Sequence, residues 1–160
     1  MWLKLDLEGL RFDLNIEDYI PNQTIDGKWA SVSSKFEFQD IIKYTKDKSE
    51  DLMCYEIDEL ICHIEDLLNN KITEKQILEE IEPDLIFILN PKEKDIDINI
   101  EMKVNLWHGG LTYNYFSTTF IREDIEKLYL YLSLISHKIE KDDIRIKELI
   151  KEGILYGDLK

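Results

Sequence analysis

Basic residues are scarce in this chain of 160 residues: 20 Lys and Arg stand against 34 Asp and Glu, a formal net charge of −14 at pH 7. That deficit argues against direct binding to nucleic-acid phosphates or to an anionic membrane surface, both of which call for Lys and Arg patches. It leaves mimicry of nucleic acid open. Cysteine is rarer still. Cys54 and Cys62 are the only two, and eight residues apart on one helix they would stand about 12 Å from each other, too far for a disulfide. A reduced, cytoplasmic chain is the expectation. No apolar run reaches membrane-spanning length, and Met1 to Asp6 alternates apolar and charged residues where a signal peptide needs an unbroken apolar segment. P-loop, GxSxG, HExxH and GxGxxG patterns are all missing.

What the chain does have is acid in one place. From Glu50 to Asp84 twelve carboxylates face only Lys71 and Lys75, a net −10 of the total −14. Acid spread evenly serves solubility, whereas acid concentrated in a helical segment makes a negative surface that speeds encounter with a basic partner. Charged flanks are also the ordinary way to solvate an amphipathic helix; concentration is what favours binding here.

Periodicity organises the rest. Leu3, Leu5 and Leu7 alternate with charged residues, and after Gly9 the pattern resumes at Leu10, Phe12, Leu14 and Ile16, which predicts a hairpin. Beyond the Asp26-Gly27 turn, Ala30, Val32, Phe36 and Phe38 predict a third strand. From Tyr55 to Asn70 the spacing of Ile57, Leu60, Ile61, Ile64, Leu67 and Leu68 is helical, which turns Asp58, Glu59, Glu65 and Asp66 toward water. Thr73 and Gln76 match a capping box, predicting a second helix that ends at Pro83. Strands return at Leu85 to Leu89 and in a long alternation from Ile96 to Leu106, followed by a reversal at His108-Gly109-Gly110 and a partner strand to Ile121. At ~3.4 Å per residue the long strand would need a bend or bulge. Helices are predicted from Arg122 to about Ile139 and from Asp142 to Glu152, with a short tail after Gly153 that docks or frays.

The predicted class is therefore α+β, with about six mainly antiparallel strands in a curved sheet or two small sheets, packed with three to four amphipathic helices. A single domain is expected over 1–160, divided into strands (1–39), an acidic helical segment (50–82), strands (84–121) and helices (122–152).

Catalytic and metal constellations are weak. Cys54, Cys62 and His63 lack zinc-ligand spacing, since adjacent helical positions point about 100° apart. His108 has no evident partner, and the neighbouring carboxylates Asp58-Glu59, Glu65-Asp66 and Glu79-Glu80 diverge on a helix. Asp95 and Asp97 are better aimed but typical of a solvated sheet face. No cofactor, no metal and no enzymatic activity are expected.

Several landmarks then occur together: Phe36-Glu37-Phe38, Leu52 to Leu60, Ile81-Glu82-Pro83-Asp84-Leu85-Ile86-Phe87, the Ile96 to Leu106 strand and the Arg122 to Ile135 helix. In that order, over roughly 29–139, they resemble the WapI family of bacterial immunity proteins, with Trp107 to Thr112, Asn114 and Tyr115 similar to the hairpin of one subgroup. The resemblance implies an antitoxin that binds and blocks a cognate toxin domain, often a nuclease, and it does not extend past Lys141. Joined to the charge argument, it makes Glu56, Asp58, Glu59, Glu65 and Asp66, with Glu79, Glu80, Glu82 and Asp84, the expected contact residues for a basic toxin. The alternative is a small-molecule or peptide binding module lined by Trp29, Trp107, Tyr113 and Tyr115.

Overall fold

A computed structural model describes residues 1–79, 84–106 and 114–158. The N-terminal alternation forms strands β1 (Trp2–Leu7) and β2 (Leu10–Glu17), paired antiparallel with Leu5 opposite Phe12 and Leu3 opposite Leu14. Glu8 and Gly9 between them both have positive φ, 53° and 91°. This is the two-residue turn whose twist matches the flanking strands. β3 (Ser31–Phe38) lies beside β2 with Phe36 opposite Phe12, and β4 (Ile42–Ser49) follows after a register shift between Val32 and Ser34.

Helix α1 (Cys54–Leu68) leads to a second antiparallel ladder of β5 (Gln76–Glu79), β6 (Leu85–Asn90), β7 (Asn99–Asn105) and β8 (Tyr115–Ile121). Helices α2 (Arg122–Ile135) and α3 (Ile144–Lys151) and a two-residue strand β9 (Leu155–Tyr156) complete the described elements. The sheet orders are β4-β3-β2-β1-β9 and β5-β6-β7-β8.

The inner faces of the two sheets meet through aromatic rings. Phe12 and Phe36 of the first sheet stack at 4.9 Å, and each meets a ring of β8 edge to face, Phe12 with Phe120 at 5.8 Å and Phe36 with Phe116 at 5.1 Å. Leu60 of α1 and Leu128 and Leu132 of α2 reach the same place, around a residual void of about 20 Å³. Tyr131 of α2 is fully buried, and its hydroxyl accepts the Ile16 N–H at 2.8 Å, tying the helix to β2.

Three elements differ from expectation. The first sheet does not end at Phe38: Ile42, Tyr44 and Lys46 of β4 turn inward at period two, but the intervening Lys43, Asp47 and Lys48 hide the pattern, as charge does on edge strands that must resist pairing with other chains. The helix predicted from Thr73 is instead β5 over 76–79. There a local capping signal yields to pairing of Ile77 with Ile88 and Leu78 with Phe87; the predicted stop at Pro83 lies outside the described residues. The long strand begins only at Asn99. Ile96 to Ile98 precede the strand, and Ile96 closes a turn in which it exchanges backbone hydrogen bonds with Glu93 at 3.0 and 2.7 Å and stays exposed. Alternation alone does not separate a strand from such a turn. Of the two fates expected for the tail after Gly153, it docks, as β9 pairs with β1. Nine strands are therefore described where about six were expected, with three helices.

A buried charge cluster joins the sheets. Lys46 on β4 donates to both Asp51, just before α1, and Asp84, at the start of β6; their side chains are 17 %, 3 % and 9 % exposed. Ser49 also donates to Asp51 at 2.6 Å, and the Asp84 carbonyl accepts from Asn105 at 2.9 Å. One ammonium thus serves two carboxylates, and Asp84 Oδ1 is left without a hydrogen-bond partner. Burial pushes the Asp84 carboxyl above the ordinary aspartate value despite Lys46. Lys46, which burial alone would lower, is held above its ordinary value by the two carboxylates.

Two outcomes follow from this cluster. Lys46→Met strands two buried carboxylates and is expected to cost about 3–5 kcal/mol in urea unfolding at neutral pH. Asp84 behaves differently. Because its pKa is raised, the folded protein holds that proton more tightly than the unfolded chain, so stability from this group is greatest in acid and is lost as pH rises through the folded value. Asp84→Asn is therefore expected to match or exceed the wild type at neutral pH and to lose that advantage as the pH is lowered toward ~4, read as the difference between the two urea midpoints at each pH.

Candidate acidic docking face

Core packing decides which acids face out. Cys54, Ile57, Leu60, Ile61, Ile64 and Leu67 bury one side of α1. At 100° per residue, Asp58, Glu59, Glu65 and Asp66 then fall within about 120° of arc on the opposite side. Glu59 is exposed and the other three are partly so. Lys71 reaches Asp66 at 2.8 Å on the surface, and that contact holds the lysine above its ordinary pKa. Cys62 is exposed within this arc while Cys54 is buried, and both are free thiols. His63 Nδ1 donates to the Glu59 carbonyl at 2.8 Å.

The remaining expected contact residues are divided. Glu56 is buried, 2 % exposed, and its carboxylate accepts the Met53 N–H at 2.7 Å, so it closes the first turn of α1. Asp84 is committed to Lys46. Glu79 is exposed on β5, on a different element from the α1 acids. Glu80 and Glu82 lie outside the described residues.

A feature that helical periodicity does not announce is the wall beside α1. The Asp58 carboxylate accepts from the Tyr19 hydroxyl and, at 3.0 Å, from the Asn22 N–H. Burial and this carboxylate both push the Tyr19 hydroxyl well above the ordinary tyrosine value. The segment 22–25 is thereby held against the helix. Between them runs an open groove of about 590 Å³ lined by Asn22, Gln23, Thr24 and Ile25 on one side and Tyr55, Asp58, Glu59 and Cys62 on the other, together with Lys138. Ile25 is 63 % exposed. Ile25 facing the Asp58 and Glu59 carboxylates suits the stem and head of a basic side chain. The sequence signal for this wall is slight: an isoleucine within the Thr24 to Gly27 turn, which ought to be polar.

Other candidates separate. Asp97 is engaged by Arg122 through two hydrogen bonds of 2.7 and 2.8 Å and by the Ile98 N–H at 2.9 Å, which together hold its carboxyl far below the ordinary range. It does not pair with Asp95. Of the alternative aromatic set, Trp29 bridges by backbone to Met53 and Tyr115 sits on β8 beneath the Lys103 ammonium, 5.0 Å from its ring centre; Trp107 and Tyr113, like His108, lie outside the described residues. Among the described residues no group of three or more His, Cys, Asp or Glu is placed to hold a metal ion, and no helix is long and apolar enough to cross a membrane.

Comparison with curated proteins finds no match. The family comparison does: residues 3–139, which include both sheets apart from β9 and the helices α1 and α2, match the family model described as Immunity protein WapI-like. By that match the chain belongs to the Immunity protein WapI-like family.

Proposed function

We propose that this chain acts as a single domain that binds a cognate bacterial toxin domain with a basic surface and neutralises it through the outer face of α1. Membership in an immunity-protein family suggests a toxin-neutralising role and implies a toxin protein as partner, and such a family is generally non-enzymatic. The observation that carries the finer reading is the outward arc of Asp58, Glu59, Glu65 and Asp66 beside a groove that displays Ile25. A nuclease that binds the phosphate backbone needs a positive groove. An acidic inhibitor complements that chemistry, with fast, salt-dependent association as its signature. The setting we infer is the cytoplasm of a producer cell, protected against its own polymorphic, contact-dependent toxin.

The test is co-expression of this chain with the toxin domain encoded beside its gene, scoring growth and measuring association of the purified pair. Wild type is expected to rescue growth. Reversal of Glu59 and Glu65 to Lys is expected to slow association by about tenfold at low salt, with the gap closing at high salt, and to leave the thermal midpoint near that of wild type. Unaltered association in the double variant would remove α1 from the interface; failure of wild type to rescue or bind would refute toxin neutralisation.

A further inference from the structure

The sheet β5-β6-β7-β8 ends at β5, and among the described residues no strand lies on its outer side. This edge is short, but its side chains are ordered. Lys75, Ile77 and Glu79 are exposed while Gln76 and Leu78 between them are half-buried, so the first three share the outer face. Ile77 is 61 % exposed. Lys75 and Glu79 enter no ion pair among the described residues. The chain bends at Glu74, which ends the straight segment at Lys75. The edge strand of the other sheet, β4, differs: its outward Thr45 is polar, Asp47 accepts from Ser33 at 3.1 Å, and Lys48 takes a positive φ of 50°.

A second copy that adds antiparallel about a two-fold axis has to keep the faces of the sheet continuous, so some residue of the strand must face its own copy. With Gln76 at the axis, Lys75 would oppose Ile77; with Leu78 there, Glu79 would oppose Ile77. With Ile77 at the axis, isoleucine meets isoleucine, and Lys75 of each copy stands opposite Glu79 of the other. Opposite charges about 5 Å apart across a ladder support it, and symmetry supplies the pair twice. Each copy also carries −14, but that wider repulsion is screened beyond about 8 Å at physiological ionic strength. The contacts inside the register therefore decide. We propose that β5 is a self-pairing edge, to which a second copy of this chain adds antiparallel in the register centred on Ile77, joining the two four-stranded sheets into one. Each copy offers one such edge, so the pair closes and does not grow. The inference stands apart from the toxin-neutralising reading.

The experiment is sedimentation of the full chain at ~0.15 M salt, carried up to ~200 μM because one short strand from each copy places the contact at the weak end of interfaces. Wild type is expected to dimerise reversibly. Lys75→Glu alone and Glu79→Lys alone each make both cross-strand pairs repulsive, and each is expected to weaken the dimer at least about tenfold. An equimolar mixture of the two variants restores opposite charges at both positions, as does the double variant, and both are expected to return to within about threefold of wild type. That recovery is a readout that general damage to the fold would not produce. A wild type that stays monomeric, a dimer indifferent to the single reversals, or a mixture that fails to recover would each overturn the proposal. A monomer whose hold on the toxin domain encoded beside its gene is loosened by Ile77→Thr would assign the edge to the toxin and likewise overturn it.

Discussion

Two antiparallel sheets that form separate ladders need something other than backbone hydrogen bonds to hold them together, and here it is the contact of Phe12 and Phe36 with Phe116 and Phe120. Rings meeting edge to face bury large area with a defined angle, so this seam sets how the two sheets face one another and what space remains for helices. Into that space go Leu60, Leu128 and Leu132. Once α1 has turned its apolar side to the core, its acids have one direction left. The proposed docking chemistry is therefore a by-product of core packing: α1 cannot rotate to hide Glu59 without withdrawing Leu60.

The same packing divides the acidic residues into two populations. Asp51, Glu56 and Asp84 all lie within the segment that dominates the sequence charge, yet each is buried and answers an internal need: a shared lysine for the two aspartates, an otherwise unbonded N–H for Glu56. Asp13 on β2 is likewise buried against Arg11 at 3.0 Å. Linear charge density thus overstates the field that a partner meets. Of the acids that remain outside, Asp58, Glu59, Glu65 and Asp66 share one arc of α1, while Glu50, Glu74 and Glu79 are exposed elsewhere in the segment.

Strong periodicity was legible wherever one face is buried. The hairpin of β1 and β2, helix α1 and helix α2 are all readable because Leu, Ile and Phe recur at two or at three to four residues. Edge elements were not. β4 carries lysines on its outer side, β5 has four residues, and β9 has two, so pairing partners far along the chain decide them. Ile96 to Ile98, the first residues of the long alternation, show the converse, a strand-like pattern outside the paired strand β7. On the candidate face, the helical acids could be named from spacing, but Tyr19, Ile25 and Lys138 could not, because they reach α1 only through the tertiary fold.

The contact of β9 with β1 closes part of the margin of the first sheet. Trp2 and Leu3 pair with Tyr156 and Leu155, and the Trp2 and Tyr156 rings stack at 6.2 Å. These partners come from beyond residue 139, where the family match stops. A relative built only from the matched region would carry β1 as an open margin, with free backbone donors and acceptors along a leucine-rich strand, which is the kind of edge that recruits other chains into aggregates. In this chain β9 covers the start of that margin, so loss of the segment after 139 would open the Trp2 and Leu3 backbone to such recruitment.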